Sequence, residues 1–177
     1  VNFNAYFLLL MRRFRRAAAS EEVLAYFVII GVAVVIITAN IYSMYNGLGE
    51  ALRHAAFQVA SLMTTTGYAT TDFNLWPSFS KTILMSLMVV GACAGSTGGG
   101  LKCARALLLF KGLKRNIHQV LHHRRVQAIR INDQVVEEKV LDNANAYLSA
   151  YVIILFLSFL VISLDGYSIG TNFSAVL

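Results

Sequence analysis

The chain has 177 residues, of which 57% are hydrophobic and only 14% are charged, and its formal net charge is +6. Average soluble domains carry about 25% charged residues, so this composition argues against an ordinary soluble domain. A single proline and long runs of leucine, valine and isoleucine predict long helices rather than a turn-rich β protein.

The first predicted element is a transmembrane helix over residues 23–45. Residues 23–41 form a run of 19 residues without a charge, and about 20 such residues cross the hydrocarbon core of a bilayer. Ser20, Glu21 and Glu22 predict the start of this helix, because a capping serine and acids in the first turn favour a helix N-terminus.

A short helix and a polar loop come next. Residues 50–63 have helical periodicity but are too few to span a bilayer, which is typical of a re-entrant segment. Residues 64–72, with the sequence TTTGYATTD, are too polar to cross a bilayer themselves and are called the threonine loop below. Nearby, Tyr45 is typical of an interfacial aromatic belt, and we interpret His54 as a surface or packing residue rather than a ligand.

A second predicted span begins near residue 80 and is interrupted. Pro77 suits the first turn of this helix, and residues 80–90 are mostly apolar. Five glycines then fall within residues 91–100, called the glycine segment below, and glycine has poor helix propensity. We therefore predict a broken helix that resumes as a basic helix over residues 101–113.

The rest of the chain is predicted to be a cytoplasmic amphipathic linker, a last span and the start of a further short helix. Residues 144–164 form an uncharged run of 21 residues. The predicted parts are a basic cytoplasmic entry segment (1–22), a membrane–pore–membrane repeat (23–118), the linker (119–142), and the first span and opening pore helix of a next repeat (143–177). This order predicts an all-α integral membrane protein that is a piece of a longer, repeated one.

The basic residues are placed as expected for a membrane protein rather than for a nucleic-acid-binding protein. Thirteen of the 15 lie before the first run or between the middle and last runs. They are Arg12, Arg13, Arg15, Arg16, Lys102, Arg105, Lys111, Lys114, Arg115, Arg124, Arg125, Arg130 and Lys139. By the positive-inside rule the first span runs outward, the second returns inward and the last runs outward. We expect a lipid bilayer and no nucleic acid as partner.

The threonine loop is interpreted as one quarter of an ion selectivity filter. Backbone carbonyls can replace the hydration shell of a cation without the trapping that a fixed carboxylate would cause. Gly67 can adopt a positive φ at least cost, and Thr65, Thr66 and Tyr68 would supply neighbouring carbonyls. K⁺ would bind at Thr65, Thr66 and Gly67. The alternative is a threonine-rich extracellular turn that binds no ion.

Three interpretations apply to the glycine segment. A phosphate-binding loop requires a different glycine–lysine spacing after a strand, and a close helix-packing face requires only small residues. The third is an unwound gate in the pore-lining helix, which we favour. The residues of the predicted gate are Gly91, Gly95, Ser96, Thr97, Gly98, Gly99 and Gly100. Cys93 and Cys103 are interpreted as small packing residues.

The segments HAAFQVASLMTTTGYATTDF, MVVGACAGSTGGGLKCARALLLFK and DGYSIGTNFSAVL resemble the Trk/Ktr/HKT superfamily of potassium transporters, and within it the TrkH/TrkG-type membrane subunits. The likeness covers nearly the whole chain. It implies the third of four repeats and the start of the fourth, arranged with pseudo-fourfold symmetry around one pore. It also implies that the glycine segment gates flow below the filter.

The resemblance further implies the partners and the location of the whole protein. These are the remaining repeats of the same chain, a second copy in a homodimer, and a cytosolic nucleotide-binding regulatory ring of the TrkA type. The expected location is the bacterial inner membrane, and the expected function is uptake of K⁺ as the transported ion, with no cofactor and no enzymatic activity. The alternative is a membrane scaffold or anchor that transports nothing and uses its glycines for packing.

Overall fold

A computed structural model of the chain describes residues 7, 10–12, 20–91, 93–94, 96, 99–121, 129–131, 134–167 and 169–176. Nearly all of the regular structure in this part is helical, which confirms the predicted all-α class. The chain divides into two compact units, Val1–Cys103 and Ala104–Leu177.

Three helices of the first unit lie wholly within the described residues. They are α1 (Glu21–Ile41), α2 (Leu48–Met63) and α3 (Ser78–Val89), with 3-10 turns at Tyr42–Met44 and Phe73–Leu75. Helix α1 begins at Glu21, as predicted. Its α-helical part ends at Ile41 rather than near residue 45, because the chain tightens into the first 3-10 turn there.

The core of the first unit lies where the three helices pack together. On α2 the buried residues Ala51, Ala55, Val59 and Met63 recur every fourth position, so they form one face of the helix. They pack in one cluster with apolar residues of α1, such as Ile37, and with residues of α3. The small residues on α2 allow the helices to approach closely, and this core fixes the end of α2 from which the threonine loop leaves.

Helix α3 starts and ends at recognisable signals. Pro77 is the N-cap and not a first-turn residue as predicted, because its ψ of 147° is extended and the helix begins only at Ser78. The helix has 12 residues and ends at Val89, directly before the glycine segment. It is therefore too short to span a bilayer by itself, and the predicted break in the second span is confirmed.

The second unit contains the basic helix, a small hairpin and the last long helix. Its elements are α4 (Cys103–Leu121, whose first residue belongs to the first unit), β1 (Arg130–Ile131), β2 (Gln134–Val135), α5 (Glu138–Ile162), a 3-10 turn at Ser163–Asp165, and α6 (Ile169–Val176). The strands pair antiparallel, with Arg130 opposite Val135. A hairpin of this size leaves the fold class unchanged.

Helix α5 begins within the predicted linker rather than at residue 143. Its first turn holds Glu138, an acid that complements the helix dipole. Leu141 and Ala144, which are both buried, pack in one cluster with Leu108 of α4 and Ile129. The burial of these side chains explains why the helix extends six residues further toward the N-terminus than the uncharged run does.

Among the described residues, two helices are long and apolar enough to cross a membrane. They comprise Glu21–Met44 and Glu138–Asp165 and have mean hydropathies of 2.5 and 2.4. The second of these exposes many large apolar side chains, among them Val152, Ile154 and Val161. Such a surface suits contact with lipid or with further helices.

Candidate functional site

The threonine loop leaves α2 through backbone hydrogen bonds to the end of that helix. The amide of Thr65 donates to the carbonyl of Leu62 at 3.1 Å, and the amide of Thr66 donates to the carbonyl of Ser61 at 2.9 Å. The hydroxyl of Thr64 donates to the carbonyl of Ala60 at 2.7 Å. These bonds occupy carbonyls that a helix C-terminus leaves unpaired, so the first half of the loop is fixed to α2.

Two residues of the threonine loop have left-handed backbone conformations. Gly67 has a φ of +79°, as predicted from its residue type, and Thr65 has a φ of +54°. A β-branched residue in this region is an outlier and costs about 1–2 kcal/mol relative to the right-handed conformation. The strained backbone therefore coincides with two of the three residues predicted to bind K⁺.

Tyr68 is held in place by a residue that sequence analysis did not identify. Ser61 on α2 is buried, and its hydroxyl donates to the carbonyl of Tyr68 at 2.6 Å. A carbonyl oxygen has two lone pairs, so the carbonyl of Tyr68 can accept a second partner besides Ser61. The tyrosine side chain is 72% exposed. The only sequence signal for Ser61 is a hydroxyl residue close to the loop on an otherwise apolar helix.

The second half of the loop is held by side chains. Nδ1 of His54 lies 3.0 Å from Oγ1 of Thr70, and the hydroxyl of Tyr45 lies 3.4 Å from Oγ1 of Thr71. His54 and Tyr45 therefore contact the loop. The interpretation of His54 as a surface or packing residue and of Tyr45 as part of an interfacial belt predicts neither contact. Asp72 is exposed, and its carboxylate accepts the amide of Asn74 at 2.9 Å to cap the following turn.

The glycine segment is closed at its base by a short parallel bridge between Val90 and Leu101. The amide of Gly91 donates to the carbonyl of Leu101 at 2.9 Å. A Cβ added to Gly91 would lie 2.0 Å from the carbonyl oxygen of Gly99, and Gly100 has a φ of +76°. Glycine is thus required at Gly91 by close backbone contact and favoured at Gly100 by its conformation. Gly95, Thr97 and Gly98 lie outside the described residues.

Charged side chains from outside the glycine segment hold its backbone. Glu22 of α1 is only 8% exposed, and its carboxylate accepts the amide of Ala94 at 2.5 Å. The ammonium of Lys102 donates to the carbonyl of Ser96 at 3.3 Å. The sequence assigns Glu22 to the helix start and Lys102 to membrane topology. Neither assignment predicts a hydrogen bond to the glycine segment.

The threonine loop and the glycine segment meet. The amide of Gly99 donates to Oγ1 of Thr65 at 3.4 Å, a contact between residues 34 positions apart in the sequence. The structure thus brings together one residue from each of the two stretches that sequence analysis singled out. Thr65 is also the residue with the strained backbone.

Other kinds of site find less support in the described part of the chain. Within it, no three histidine, cysteine or acidic side chains come together to hold a metal ion. Cys93 and Cys103 are both buried. A helix, and not the strand that a phosphate-binding loop follows, precedes the glycine segment.

Comparison with known proteins points to one family. Residues 12–177 match the family model for TrkH, described as a cation transport protein. The chain is 35% identical over 135 residues to the Trk system potassium uptake protein TrkH of Salmonella typhimurium, a match that covers 76% of this chain and 28% of the relative. It is 29% identical over 178 residues to the Trk system potassium uptake protein TrkG of Escherichia coli, covering 99% of this chain and 36% of that one.

A solved structure agrees with these matches. The crystal structure of the potassium transporter TrkH from Vibrio parahaemolyticus superposes with a TM-score of 0.90 at 28% identity. The superposition covers 99% of this chain and 38% of the other. The chain therefore spans roughly a third of the length of the transporters that it matches.

Proposed function

The chain belongs to the TrkH family of cation transport proteins, and from that membership we propose that it is part of a protein that takes up K⁺ across the bacterial inner membrane. The relatives that it matches are potassium uptake proteins. The observation that carries the proposal is the contact between Gly99 and Thr65. A filter loop and a gate act on the same ion path, and this contact joins the two candidate stretches.

In the proposed filter, K⁺ exchanges its water ligands for the carbonyl oxygens of Thr65, Thr66 and Gly67. The second lone pair on the carbonyl of Tyr68 would provide a further ligand. Left-handed conformations at Thr65 and Gly67 support this role, because they turn the backbone away from helical geometry at the point where its carbonyls are needed. The bonds to the end of α2 offset the strain at Thr65.

In the proposed gate, the glycine segment regulates flow close to the filter. Irregular backbone within a membrane is tolerated where it is buried in protein or lines a water-filled path. The closed base at Val90 and Leu101 gives the segment two fixed ends, and Glu22 and Lys102 hold points between them. Because the segment is held at only a few points, the backbone between those points can move between two positions.

The whole pore requires parts beyond this chain. One threonine loop is one quarter of a ring, so the proposed transporter uses four membrane–pore–membrane repeats with pseudo-fourfold symmetry, of which residues 23–118 form one. We extend the proposal to a homodimer that binds a cytosolic nucleotide-binding ring. The basic helix α4, with Lys111, Lys114 and Arg115, would lie on the cytoplasmic side.

A membrane scaffold that packs through its glycines is the competing function. The close contact at Gly91 is with Gly99 and Gly100 of the same segment rather than with a neighbouring helix. This contact favours a folded loop over a packing face, and for that reason we prefer the transport function.

Uptake of Rb⁺ as a substitute for K⁺ tests the proposal. Cells that lack their own K⁺ uptake systems would carry the full-length parent protein, its Gly67→Ser variant, or a Gly47→Ser control. Neither added Cβ meets an atom within 4 Å, but only Gly67 lies in the left-handed region, with a φ of +79°, whereas Gly47 is extended with a φ of 169°. We expect uptake by the parent and the control, and a loss of preference for Rb⁺ over Na⁺ in Gly67→Ser at unchanged protein level. Equal preference in all three would contradict the filter.

A further inference from the structure

The second half of the threonine loop is held differently from the first half. Besides the Thr64 hydroxyl, the first half is attached to α2 by backbone hydrogen bonds from Thr65 and Thr66, which every residue type except proline could make. The second half is attached through the side chains of His54 and Tyr45. Its position therefore depends on which residues stand at positions 45 and 54.

The contact between His54 and the loop is well oriented. His54 lies on α2, ten residues before the loop begins, and its Nδ1 is 3.0 Å from Oγ1 of Thr70. Either atom can be the donor, according to the tautomer of the ring. The imidazole stacks on the ring of Tyr45 with centroids 5.0 Å apart and planes inclined by 26°. This stacking restricts the rotation of the imidazole and keeps Nδ1 directed at Thr70.

A second chain of hydrogen bonds supports Tyr45. The indole nitrogen of Trp76, a residue that is 2% exposed, lies 3.0 Å from the hydroxyl of Tyr45. An indole N–H can only donate, so the tyrosine oxygen accepts this bond and its own proton is available to Thr71, 3.4 Å away. These two hydrogen bonds connect buried Trp76, through the hydroxyl of Tyr45, to Thr71.

We propose that His54 and Tyr45 are positioning residues that hold the outer half of the ion filter through Thr70 and Thr71, with Trp76 as their anchor. The proposal rests on the filter function proposed above for Thr65, Thr66 and Gly67. The two side chains touch neither the ion nor its carbonyl ligands. They fix the end of the segment that follows Tyr68, and so they limit how far the ring of carbonyls can widen.

This arrangement connects the filter to helices of the rigid core. Tyr45 follows the 3-10 turn after α1, and His54 stands on α2, where the neighbouring Ala51 and Ala55 are buried. Trp76 belongs to the core cluster. A loop braced from a packed core retains its width better than a free one, and a filter must resist collapse around a smaller ion or expansion around a larger one.

The test uses the ratio of Rb⁺ to Na⁺ uptake by the full-length parent protein in cells without their own K⁺ uptake systems. His54→Leu removes the hydrogen bond to Thr70, and we expect the ratio to fall several-fold. His54→Gln keeps a polar group near Thr70 and should restore part of the ratio. Arg53→Gln is the matched control, because it removes a positive charge at the neighbouring position without altering the bond.

A double-mutant comparison distinguishes a specific bond from a general loss of structure. Thr70→Val removes the same hydrogen bond from the loop side. If His54 acts through Thr70, the double variant His54→Leu/Thr70→Val should have the ratio of either single variant rather than the product of both losses. Tyr45→Phe keeps the ring that stacks on His54 but removes the hydroxyl between Trp76 and Thr71, and it should lower the ratio independently.

Gly67→Ser, measured in the same assay, separates the two levels of the proposal. A changed ratio in Gly67→Ser, with ratios at the parent value for His54→Leu, Tyr45→Phe and Thr70→Val, would overturn the positioning roles of His54 and Tyr45. It would leave the filter proposal intact. An unchanged ratio in all four variants would overturn the filter itself. Independent, multiplying losses in His54→Leu and Thr70→Val would also overturn the assigned contact.

Discussion

At the scale of single residues, Thr65 combines three properties that rarely occur together. Its backbone is left-handed, with a φ of +54°. Its amide is bonded to the end of α2, and its side chain accepts the amide of Gly99. Strained non-glycine residues persist only where the surrounding structure holds them, and they cluster at functional sites. Thr65 is therefore the residue at which the proposed filter and gate affect each other.

The carboxylate of Glu22 provides a test of the proposed gate. Glu22→Ala removes a hydrogen bond between a buried carboxylate and the amide of Ala94. Bonds to charged groups contribute about 1.5–3 kcal/mol, and 1.4 kcal/mol is a factor of about ten in an equilibrium. We expect the segment to leave its observed position at least about tenfold more often and Rb⁺ uptake to rise.

Two further variants control for the Glu22 experiment. Glu21→Ala removes an acid from the same first helical turn but not the acceptor of the Ala94 amide, and it should leave uptake near the parent value. Glu22→Gln keeps an acceptor oxygen without the charge and should have a smaller effect. Equal uptake in Glu22→Ala and Glu21→Ala would show that the contact does not restrain flow.

The sequence could not predict which residues of the site form hydrogen bonds with each other. Gly67 was predicted to have a positive φ because glycine adopts one at little cost, and it does. The hydrogen bonds between Ser61 and Tyr68, between His54 and Thr70, and between Glu22 and Ala94 join residues 7, 16 and 72 positions apart. Local patterns determine helix faces and ends, but such pairings depend on how the helices pack.

At the scale of elements, the glycine segment is a short loop closed at its base. Helix α3 ends at Val89 and α4 begins at Cys103, and the bridge between Val90 and Leu101 brings the two ends together. Sequence predicted this interruption from five glycines in ten residues. It could not predict the bridge, because pairing of two single residues leaves no periodic pattern.

Gly91→Ala tests whether the closed geometry of the segment restrains flow. The added Cβ would lie 2.0 Å from the carbonyl oxygen of Gly99, and since this neighbour is backbone, the segment itself must shift. We expect increased Rb⁺ uptake at an unchanged amount of protein in the membrane. Gly31→Ala is the matched control, because a Cβ there meets nothing within 4 Å and Gly31 lies on α1, outside the glycine segment.

The two alternative functions of the glycine segment give different results in this experiment. A gate predicts higher uptake in Gly91→Ala and parental uptake in Gly31→Ala. A packing face predicts less protein in the membrane for Gly91→Ala, without a rise in uptake per molecule. Parental uptake and protein level in both variants would contradict each of these roles.

Helix boundaries are predictable where residues typical of a helix end mark them. The start of α1 followed from Ser20, Glu21 and Glu22, and the structure confirms it. The start of α5 was predicted too late, because the uncharged run begins at residue 144, whereas burial of Leu141 against α4 stabilises the preceding turn. Tertiary packing of this kind overrides composition at helix ends.

At the scale of the whole molecule, the distribution of charge predicts the orientation in the membrane. Thirteen of the 15 basic residues flank the ends that we assign to the cytoplasm. By the positive-inside rule, the loop between α1 and α3 faces outward and the end of α4 faces inward. This orientation would place the threonine loop on the outer side.

Cysteine labelling tests this orientation. Leu75 and Leu121 are 74% and 71% exposed, whereas the natural thiols Cys93 and Cys103 are 0% and 1% exposed and should label poorly. In the full-length parent protein, a membrane-impermeant maleimide should label the Leu75→Cys variant in intact cells. It should label the Leu121→Cys variant only after the membrane is opened. Labelling of Leu121→Cys in intact cells would contradict the assigned orientation.

The most direct measurement is the position of bound Rb⁺ in a crystal structure of the full-length parent protein, located by its anomalous scattering. We predict a Rb⁺ peak on the pore axis, within coordination distance of the carbonyl oxygens of Thr65, Thr66 and Gly67. When excess Na⁺ competes with Rb⁺, the peak should weaken in the Gly67→Ser variant but not in the parent. Rb⁺ peaks elsewhere along the pore, with none at these carbonyls, would contradict the assignment of the threonine loop as a selectivity filter.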